Sequence, residues 1–173
     1  MDIVYGSGHV NHVGESMFEV SYLPVQEIKS DVLVCPVNCV GVMGKGLAKA
    51  IKELYPWSVD TYEKSCGNRQ LTPGNIISAY PNTTLPGSNI RNPIILHAAT
   101  KNHWKNKSQI VWVKACLREI STFMAQSGAT SIAIPKIGCG LGGLSWIDVE
   151  PLFENVFLDE DYEVIVFDRE IQH

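Results

Sequence analysis

The sequence predicts a three-layer α/β/α fold, in which a mixed, mostly parallel sheet carries helices on both faces. Short apolar runs typical of strands alternate along the chain with amphipathic segments of helical period. Glycine-rich turns follow two of the apolar runs, which is where an α/β sheet binds ligands, at the carboxyl ends of its strands. With 173 residues, 45% of them apolar and 18% charged, the chain is long enough to bury one globular core.

The first half of the chain predicts a strand, two helices and a strand after two short strand candidates. An apolar run enters a polar turn, and apolar residues then recur at helical spacing from Leu47 to Leu54. Pro73-Gly74 marks a turn before a further alternating apolar run. The expected elements are strands at residues 3–5, 17–22, 32–34 and 75–80 and helices at residues 44–55 and 58–64.

The second half continues the alternation. A loop rich in Pro, Asn and Gly precedes an apolar run, and Ser108 then stands at the N-cap position of a long helical pattern. The apolar face of that helix extends to Met124 and needs a sheet to cover it. The remaining expected elements are strands at residues 94–97, 131–134 and 163–167 and a helix at residues 147–157.

Charge and composition exclude several classes of protein. A formal charge of −4 argues against non-specific binding to nucleic acid and favours a small anionic ligand, although a local basic patch can still engage phosphates. No apolar run approaches the roughly 18 residues of a membrane span. The N-terminus, MDIVYGSGHVNH, lacks the basic start and apolar core of a secretion signal. We therefore expect a cytoplasmic protein without a membrane partner.

The cysteines predict reduced thiols. Their number is five, which is odd, and they form neither a CxxC pair nor a zinc-finger spacing with histidine. Cys35 and Cys39 could ligate a metal, but a thiol beside a buried strand more often packs as a small hydrophobic group. We expect neither a metal nor a cofactor.

The first glycine-rich stretch, VCPVNCVGVMGKGLAKAIKELYP, indicates an anion site. It joins a strand to a helix, and such a junction brings unpaired backbone N–H groups together with the positive end of the helix dipole. It is not a Walker loop, because Leu47 and Ala48 stand where Lys and Ser or Thr are required. Lys49 replaces the third glycine of a dinucleotide-binding motif. The alternative is a tight turn with glycines at positive φ.

The second glycine-rich stretch, IPKIGCGLGGLSW, has four glycines within six residues. Ordered backbone in close contact with a ligand explains so many glycines, whereas the alternative is a flexible turn. If the preceding strands are neighbours, the first glycine loop (residues 40–46) and the second glycine loop (residues 138–143) can hold a diphosphate from both sides. Cys139 has no partnered base in the sequence, so a nucleophilic role for it is disfavoured.

The third stretch, ILHAATKNHWKNKSQI, ends a strand in a basic aromatic segment (residues 101–107). A partly desolvated Lys101 would have a lowered pKa and could attack an anomeric carbon or stabilise charge there. His103, Trp104, Lys105 and Lys107 could hold a nucleic-acid backbone and stack on a base. The alternative is a solvated basic loop with Trp104 packed against the body of the protein.

These three stretches, in this order, resemble macro domains, which are α/β/α modules that bind ADP-ribose. The blocks that carry the resemblance are PVNCVGVMGKGLAKAIKELYP, ATKNHWKNKS and IPKIGCGLGGLSW, and the likeness covers roughly residues 17–168. More narrowly, the chain resembles the branch that contains the DarG antitoxin macro domain and the human terminal ADP-ribose glycohydrolase. The resemblance implies one macro domain at residues 17–173, after an unassigned N-terminal extension at residues 1–16.

The resemblance also implies roles for particular residues. Asn38 would bind the distal ribose, and Tyr22 and Leu23 would stand on the adenine side. Lys101 matches the lysine on which catalysis in this branch depends, where a covalent sugar–lysine intermediate has been proposed. The residues that would line the ribose and the diphosphate are Met43, Gly44, Lys45, Gly46, Gly138, Cys139, Gly140, Leu141, Gly142 and Gly143.

Two departures from the family pattern bear on mechanism and specificity. Gly142 stands where the human glycohydrolase has an aspartate that helps to release the lysine adduct, whereas the DarG type shares GCGLGGL. Ser21-Tyr22 stands where many macro domains have a Gly-Asp pair whose aspartate reads the adenine amino group. The antitoxin's additional C-terminal toxin-binding region is missing, so we expect a free-standing hydrolase rather than a full antitoxin.

We therefore expect an ADP-ribosyl hydrolase that removes ADP-ribose from thymidine in DNA or from acidic protein side chains, with Lys101 as nucleophile or electrostatic catalyst. Its partners would be ADP-ribose and the modified DNA or protein, and the protein itself would be a monomer. Three alternatives stay open. They are a phosphatase acting on ADP-ribose 1″-phosphate, a reader that binds ADP-ribose without cutting it, and a degenerate pocket used as an interaction surface.

Overall fold

The computed structural model describes residues 20–81 and 92–168, and within them the chain alternates strands and helices as expected. The strands are β1 (Val32–Val37), β2 (Ile76–Ala79), β3 (Ile94–Ala99), β4 (Ser131–Pro135) and β5 (Glu163–Phe167), and the helices are α1 (Gly46–Leu54), α2 (Val59–Gly67), α3 (Ile110–Ser127) and α4 (Trp146–Phe157). Short 3₁₀ turns occupy Val25–Glu27 and Pro56–Ser58. None of the helices in these two ranges is long and apolar enough to cross a membrane.

The strands form one mixed sheet in the order β2-β3-β1-β4-β5. Strands β3, β1, β4 and β5 are parallel, and β2 runs antiparallel to β3 at the edge. The central strands are rich in Val, Ile, Leu and Ala and are buried along most of their length, as expected when helices cover both faces of a parallel sheet. The expected mixed, mostly parallel sheet is therefore confirmed.

The sheet divides between β1 and β4. These two strands pair only at their amino ends, where Val32 lies opposite Ile132 and Leu33 opposite Ala133. By contrast, β1 stays paired with β3 up to Val37, and β4 stays paired with β5 up to Pro135. The chain leaves β1 toward β2 and β3 on one side and leaves β4 toward β5 on the other, so this boundary is the topological switch point where α/β folds bind ligands.

Two hydrophobic layers enclose the sheet. Helices α3 and α4 cover one face and α1 and α2 cover the other, which confirms the three-layer arrangement. The buried helix residues on the first face are Val113, Cys116, Leu117, Ile120, Met124, Val149, Phe153 and Phe157, and those on the second face are Ile51, Val59 and Tyr62.

Several predicted boundaries differ from the structure. Helix α1 begins at Gly46 because Gly44 and Lys45 belong to the preceding loop, and α2 begins at Val59 because Pro56–Ser58 forms a 3₁₀ turn. The strand expected at residues 32–34 continues to Val37 because it stays paired with β3.

Of the strand expected at residues 17–22, Ser21 forms an isolated parallel bridge to Phe167, and residues 17–19 lie outside the described part of the chain. The strand expected at residues 3–5 lies outside it too.

The prediction that Ser108 caps the long helix is wrong. The N-cap residue is Gln109, and it makes no side-chain capping bond. The backbone N–H of Ser108 donates to the carbonyl oxygen of Gly142 at 2.9 Å, so this residue is tied to the second glycine loop instead. Its hydroxyl is buried and has no hydrogen-bond partner among the described residues.

Candidate active site where the sheet divides

Three loops meet at the carboxyl ends of the parallel strands, where β1 and β4 separate. We call this part of the sheet the divided edge. The first glycine loop follows β1, the second follows β4, and the basic aromatic segment follows β3. Because β3, β1 and β4 are adjacent and parallel, these three connections leave the sheet at one edge. The strands before the two glycine loops, β1 and β4, are neighbours, which is the condition for the two loops to face each other.

The side chain of Asn38 organises the first glycine loop. It is buried at the end of β1, where Nδ2 donates to the carbonyl oxygen of Val42 at 2.8 Å. Its Oδ1 accepts hydrogen bonds from the backbone N–H groups of Val40 at 3.1 Å and Val42 at 3.3 Å. The loop is therefore wrapped around the amide of Asn38.

The first glycine loop ends at an uncapped helix. Lys45 is the N-cap of α1 and makes no side-chain capping bond, so the first N–H groups of the helix keep their hydrogen-bonding capacity. Lys45 is exposed, whereas the side chain of Met43 is buried in the hydrophobic layer beneath the loop. A Cβ atom added to Gly46 would lie 3.6 Å from Cδ1 of Leu141, so the two glycine loops approach each other here.

The second glycine loop requires glycine for both packing and conformation. Gly138 has φ of +79°, and a Cβ atom there would lie 2.7 Å from Cγ2 of Val113. The N–H of Cys139 donates to the carbonyl oxygen of Lys136, just before the loop, and the N–H of Gly143 donates to carbonyl oxygens within it. In the described part of the chain, the N–H groups of Gly140, Leu141 and Gly142 donate to no acceptor, so three consecutive donors are available to an anion.

Lys101 reaches across the divided edge to the second glycine loop. It lies two residues after the end of β3, and its Nζ donates to the carbonyl oxygen of Leu141 at 2.9 Å. Partial burial lowers the pKa of the Lys101 ammonium below its usual value, because the charged form loses hydration. The amine of Lys101 therefore connects the basic aromatic segment to the second glycine loop.

Cys139 has the wrong protonation state for a nucleophile. Burial raises the pKa of its thiol to about 11, with a smaller opposing effect from the positive charge of Lys136. Its Sγ lies 3.8 Å from the carbonyl oxygen of Ile137, which is a weak sulfur contact. The thiol of Cys139 therefore serves as a packing group.

The part of the basic aromatic segment that follows Lys101 is mostly exposed. Trp104 is 50% exposed, and Nζ of Lys105 lies 5.1 Å from the centre of its ring. The ring of His103 packs against Trp104 with centroids 5.2 Å apart. A Cβ atom added to Gly143 would lie 3.4 Å from Cδ of Lys107, so Lys107 borders the end of the second glycine loop.

The predicted adenine side lies at the other end of the edge. Ser21 is bridged to Phe167 at the end of β5, and its Oγ accepts a hydrogen bond from the N–H of Leu23 at 3.3 Å. Tyr22 and Leu23 are both exposed. Since β1, β4 and β5 stand between these residues and Lys101, the predicted site extends along the carboxyl edge of the sheet.

One contact at the site could not be seen in the sequence. The hydroxyl of Tyr62, on α2, lies 2.8 Å from both the carbonyl oxygen and Oδ1 of Asn38. The ring of Tyr62 stacks on His97 of β3 with centroids 5.1 Å apart. An aromatic residue within the predicted second helix was the available signal, but helical spacing alone does not show what its hydroxyl touches.

A separate groove of about 610 Å³ lies between α1 and α2. It includes Met43 and Gly44 of the first glycine loop, but neither Lys101 nor any residue of the second glycine loop. Its walls carry both positive and negative side chains, including Lys49, Lys52 and Glu53. The groove therefore lacks the uniformly positive potential that would attract a diphosphate. The divided edge, with its free N–H groups and Lys101, is the better candidate. Among the residues the structure describes, no group of three His, Cys, Asp or Glu side chains could hold a metal ion.

The fold and the site together define an α/β module in which two neighbouring parallel strands separate and each is followed by a glycine loop. The chain belongs to the macro domain family, whose sequence model matches residues 34–153. A DNA ADP-ribosyl glycohydrolase of Mycobacterium tuberculosis is 33% identical over 139 residues, which are 80% of this chain and 38% of that relative. The chain thus spans well under half the length of this relative.

Solved structures agree with the family assignment. The macrodomain of Mycobacterium tuberculosis DarG superposes with a TM-score of 0.78 at 29% identity, covering 98% of this chain and 99% of that one. Thermosipho africanus DarTG in complex with ADP-ribose superposes with a TM-score of 0.72 at 33% identity, covering 80% of this chain and 38% of that one. The predicted resemblance to macro domains of the DarG branch is confirmed.

Proposed function

We propose that the protein binds ADP-ribose along the divided edge and hydrolyses the bond that joins it to thymidine in DNA or to an acidic protein side chain. The observation that carries this proposal is the position of Lys101, whose partly desolvated amine meets the second glycine loop at the carbonyl of Leu141. An amine with a lowered pKa beside a row of free N–H groups suits attack on a sugar whose diphosphate those groups hold.

The proposed ligand position follows the order of the loops along the edge. The diphosphate lies between the two glycine loops, where the N–H groups of Gly140, Leu141 and Gly142 are unpaired in the described part of the chain. The distal ribose lies beside Asn38, which keeps one amide N–H beyond its bond to Val42. The exposed Lys45 and the backbone of Met43, Gly44 and Gly46 border that ribose. The adenine lies toward Tyr22 and Leu23.

Lys101 acts as nucleophile or as electrostatic catalyst. As a nucleophile, its neutral amine forms a bond to C1″ of the distal ribose while the bond to the base or carboxylate breaks, and the leaving group keeps the electron pair and takes a proton. Water then displaces the lysine, so that the sum of both steps is hydrolysis. The carbonyl of Leu141 accepts a hydrogen from the amine and thereby orients its lone pair.

The basic aromatic segment supports a DNA substrate. His103, Trp104, Lys105 and Lys107 lie on the Lys101 side of the site, where the modified macromolecule would be attached. Trp104 is exposed enough to stack on a base, and the two lysines can approach phosphates. The similar DNA ADP-ribosyl glycohydrolase of Mycobacterium tuberculosis agrees with this choice.

A reader that binds ADP-ribose without cutting it is the second candidate. Gly142 is the observation that favours it, because the aspartate that helps to release the lysine adduct in the human enzyme has no counterpart there. Binding without turnover would then be the whole function.

The test is to incubate the protein with a thymidine-ADP-ribosylated oligonucleotide and, separately, with a protein carrying ester-linked ADP-ribose. We expect release of ADP-ribose from the DNA, and loss of that release by roughly a hundredfold or more in Lys101→Ala with ADP-ribose binding retained. Lys29→Ala is the control, because Lys29 is exposed and precedes β1 at the opposite edge of the sheet. Unchanged release in Lys101→Ala would overturn the proposed role of Lys101, and binding without release in the wild type would leave the reader.

We further propose that residues 17–173 act as one cytoplasmic, monomeric domain that needs no cofactor. The five cysteines are free thiols, which suits a reducing compartment. Size-exclusion chromatography with light scattering would test the monomer, and activity after chelation would test independence from metal.

A further inference from the structure

Tyr62 contacts the first glycine loop from outside it. The tyrosine belongs to α2, its side chain is fully buried, and its hydroxyl lies 2.8 Å from two oxygens of Asn38. A phenolic hydroxyl has one hydrogen to donate, and both oxygens of Asn38 can accept it. Burial raises the pKa of this hydroxyl well above its usual value, so the hydrogen stays in place.

The backbone partners of the Asn38 amide select one orientation of it. With Oδ1 facing Tyr62, the same oxygen also accepts the N–H groups of Val40 and Val42, and Nδ2 donates to the carbonyl of Val42. A flipped amide would point its NH₂ group at two backbone N–H donors and its oxygen at a carbonyl oxygen. The tyrosine hydroxyl is therefore part of the set of partners that holds the loop around Asn38.

Tyr62 is itself held by the sheet. His97 of β3 is fully buried and stacks on the tyrosine ring with an interplanar angle of 29°. Nε2 of His97 lies 3.1 Å from the carbonyl oxygen of Ser58, just before α2, so this nitrogen carries the proton. A chain of contacts thus runs from β3 through α2 to the loop that follows β1.

We infer that Tyr62 is a positioning residue, whose hydroxyl keeps Asn38 and the first glycine loop in the conformation that receives the distal ribose. The inference rests on the proposed ADP-ribose site, in which Asn38 lies beside that ribose. Tyr62 itself is fully buried, so a ligand at the surface would not contact it. Its effect on binding therefore passes through Asn38.

Tyr62→Phe tests the inference, because it keeps the ring and its stacking on His97 and removes only the hydroxyl. We expect the Kd for free ADP-ribose, measured by calorimetry, to rise about three- to tenfold. Tyr162→Phe is the matched control, since Tyr162 is also buried but packs in the layer on the other face of the sheet. It should leave the Kd unchanged, and equal Kd values for both variants would overturn the inference.

A double-mutant cycle separates positioning from general loosening. If Tyr62 acts through Asn38, adding Tyr62→Phe to Asn38→Ala should change the Kd by less than about twofold. A full additive loss in the double variant would contradict the inference. These two tests require that the wild type binds ADP-ribose.

Amide hydrogen exchange gives a readout that needs no ligand. In Tyr62→Phe, the amides of Val40 and Val42 should exchange at least about threefold faster than in the wild type, while Tyr162→Phe leaves them unchanged. If the wild type does not bind ADP-ribose, the proposed function fails, and the exchange at these amides still decides whether Tyr62 holds the loop. Unchanged exchange would overturn the inference on its own.

Discussion

At the scale of single residues, the glycines of the second glycine loop differ in the space that a side chain would have. A Cβ atom on Gly142 would lie 2.4 Å from the carbonyl oxygen of Gly138 and 2.5 Å from Oγ of Ser108. A Cβ atom on Gly140 would meet nothing within 4 Å. Backbone therefore closes the space beside Gly142 in this chain, and an acidic side chain there would force the loop to move.

We predict that Gly142→Ala lowers the free energy of unfolding by about 1–3 kcal/mol, because the clash is with a main-chain carbonyl that cannot move aside cheaply. Gly140→Ala, two residues away in the same loop, should change it by less than about 0.5 kcal/mol. Urea unfolding of both variants measures the difference. Equal stabilities would mean that the loop relaxes around the added methyl group.

At the scale of secondary structure, the end of α2 has one unfavourable backbone conformation. Arg69 has φ of +58°, in the left-handed region that glycine prefers. Its N–H donates to the carbonyl of Cys66, and the N–H of Gln70 donates to the carbonyl of Ser65. These two bonds form a Schellman motif, in which Arg69 holds the position most often taken by glycine.

We predict that Arg69→Gly raises the free energy of unfolding by about 0.5–1 kcal/mol, since glycine adopts this conformation without steric cost. Arg118→Gly gives a control of opposite sign. Arg118 is an exposed residue inside α3, where glycine should cost about 1 kcal/mol. Thermal and chemical unfolding of the two variants would show the opposite shifts, and destabilisation by Arg69→Gly would contradict the prediction.

At the scale of the whole molecule, a buried histidine links stability to pH. His97 lies in β3, with its side chain fully enclosed between the sheet and α2. Burial lowers its pKa from 6.5 to about 4, and the hydrogen bond to Ser58 opposes this shift only in part. Between these two values the unfolded chain binds a proton that the folded protein does not bind, so acid favours unfolding.

We predict that His97 makes the protein lose about 3 kcal/mol of stability as the pH falls from 6.5 to 4. At pH values above the pKa of His97 in the unfolded chain, this contribution to the free energy of unfolding is fully present. It disappears as the pH approaches the pKa of His97 in the folded protein. Urea unfolding at several pH values should show a shallower dependence of the free energy of unfolding on pH for His97→Gln than for the wild type. Parallel curves for His97→Gln and the wild type would refute the prediction.

Much of the fold could be predicted because it depends on local pattern. The alternation of strands and helices, the apolar face of α3 and the two glycine loops all follow from residue spacing, and the structure confirms them. The errors arise where tertiary contacts override local preference. Ser108 has the composition of a helix cap, but its backbone pairs with Gly142, which lies far along the sequence.

By itself the sequence determined the alternation of elements, the family, the positions of the two glycine loops and the lysine at the end of a strand. These depend on residue type and spacing, which the chain carries locally. Only the tertiary structure decided that β1 and β4 pair at two positions and then separate, that Lys101 meets the carbonyl of Leu141, and that Tyr62 holds Asn38. Each of these joins residues from different strands or helices, and strand order and helix packing decide which distant residues meet.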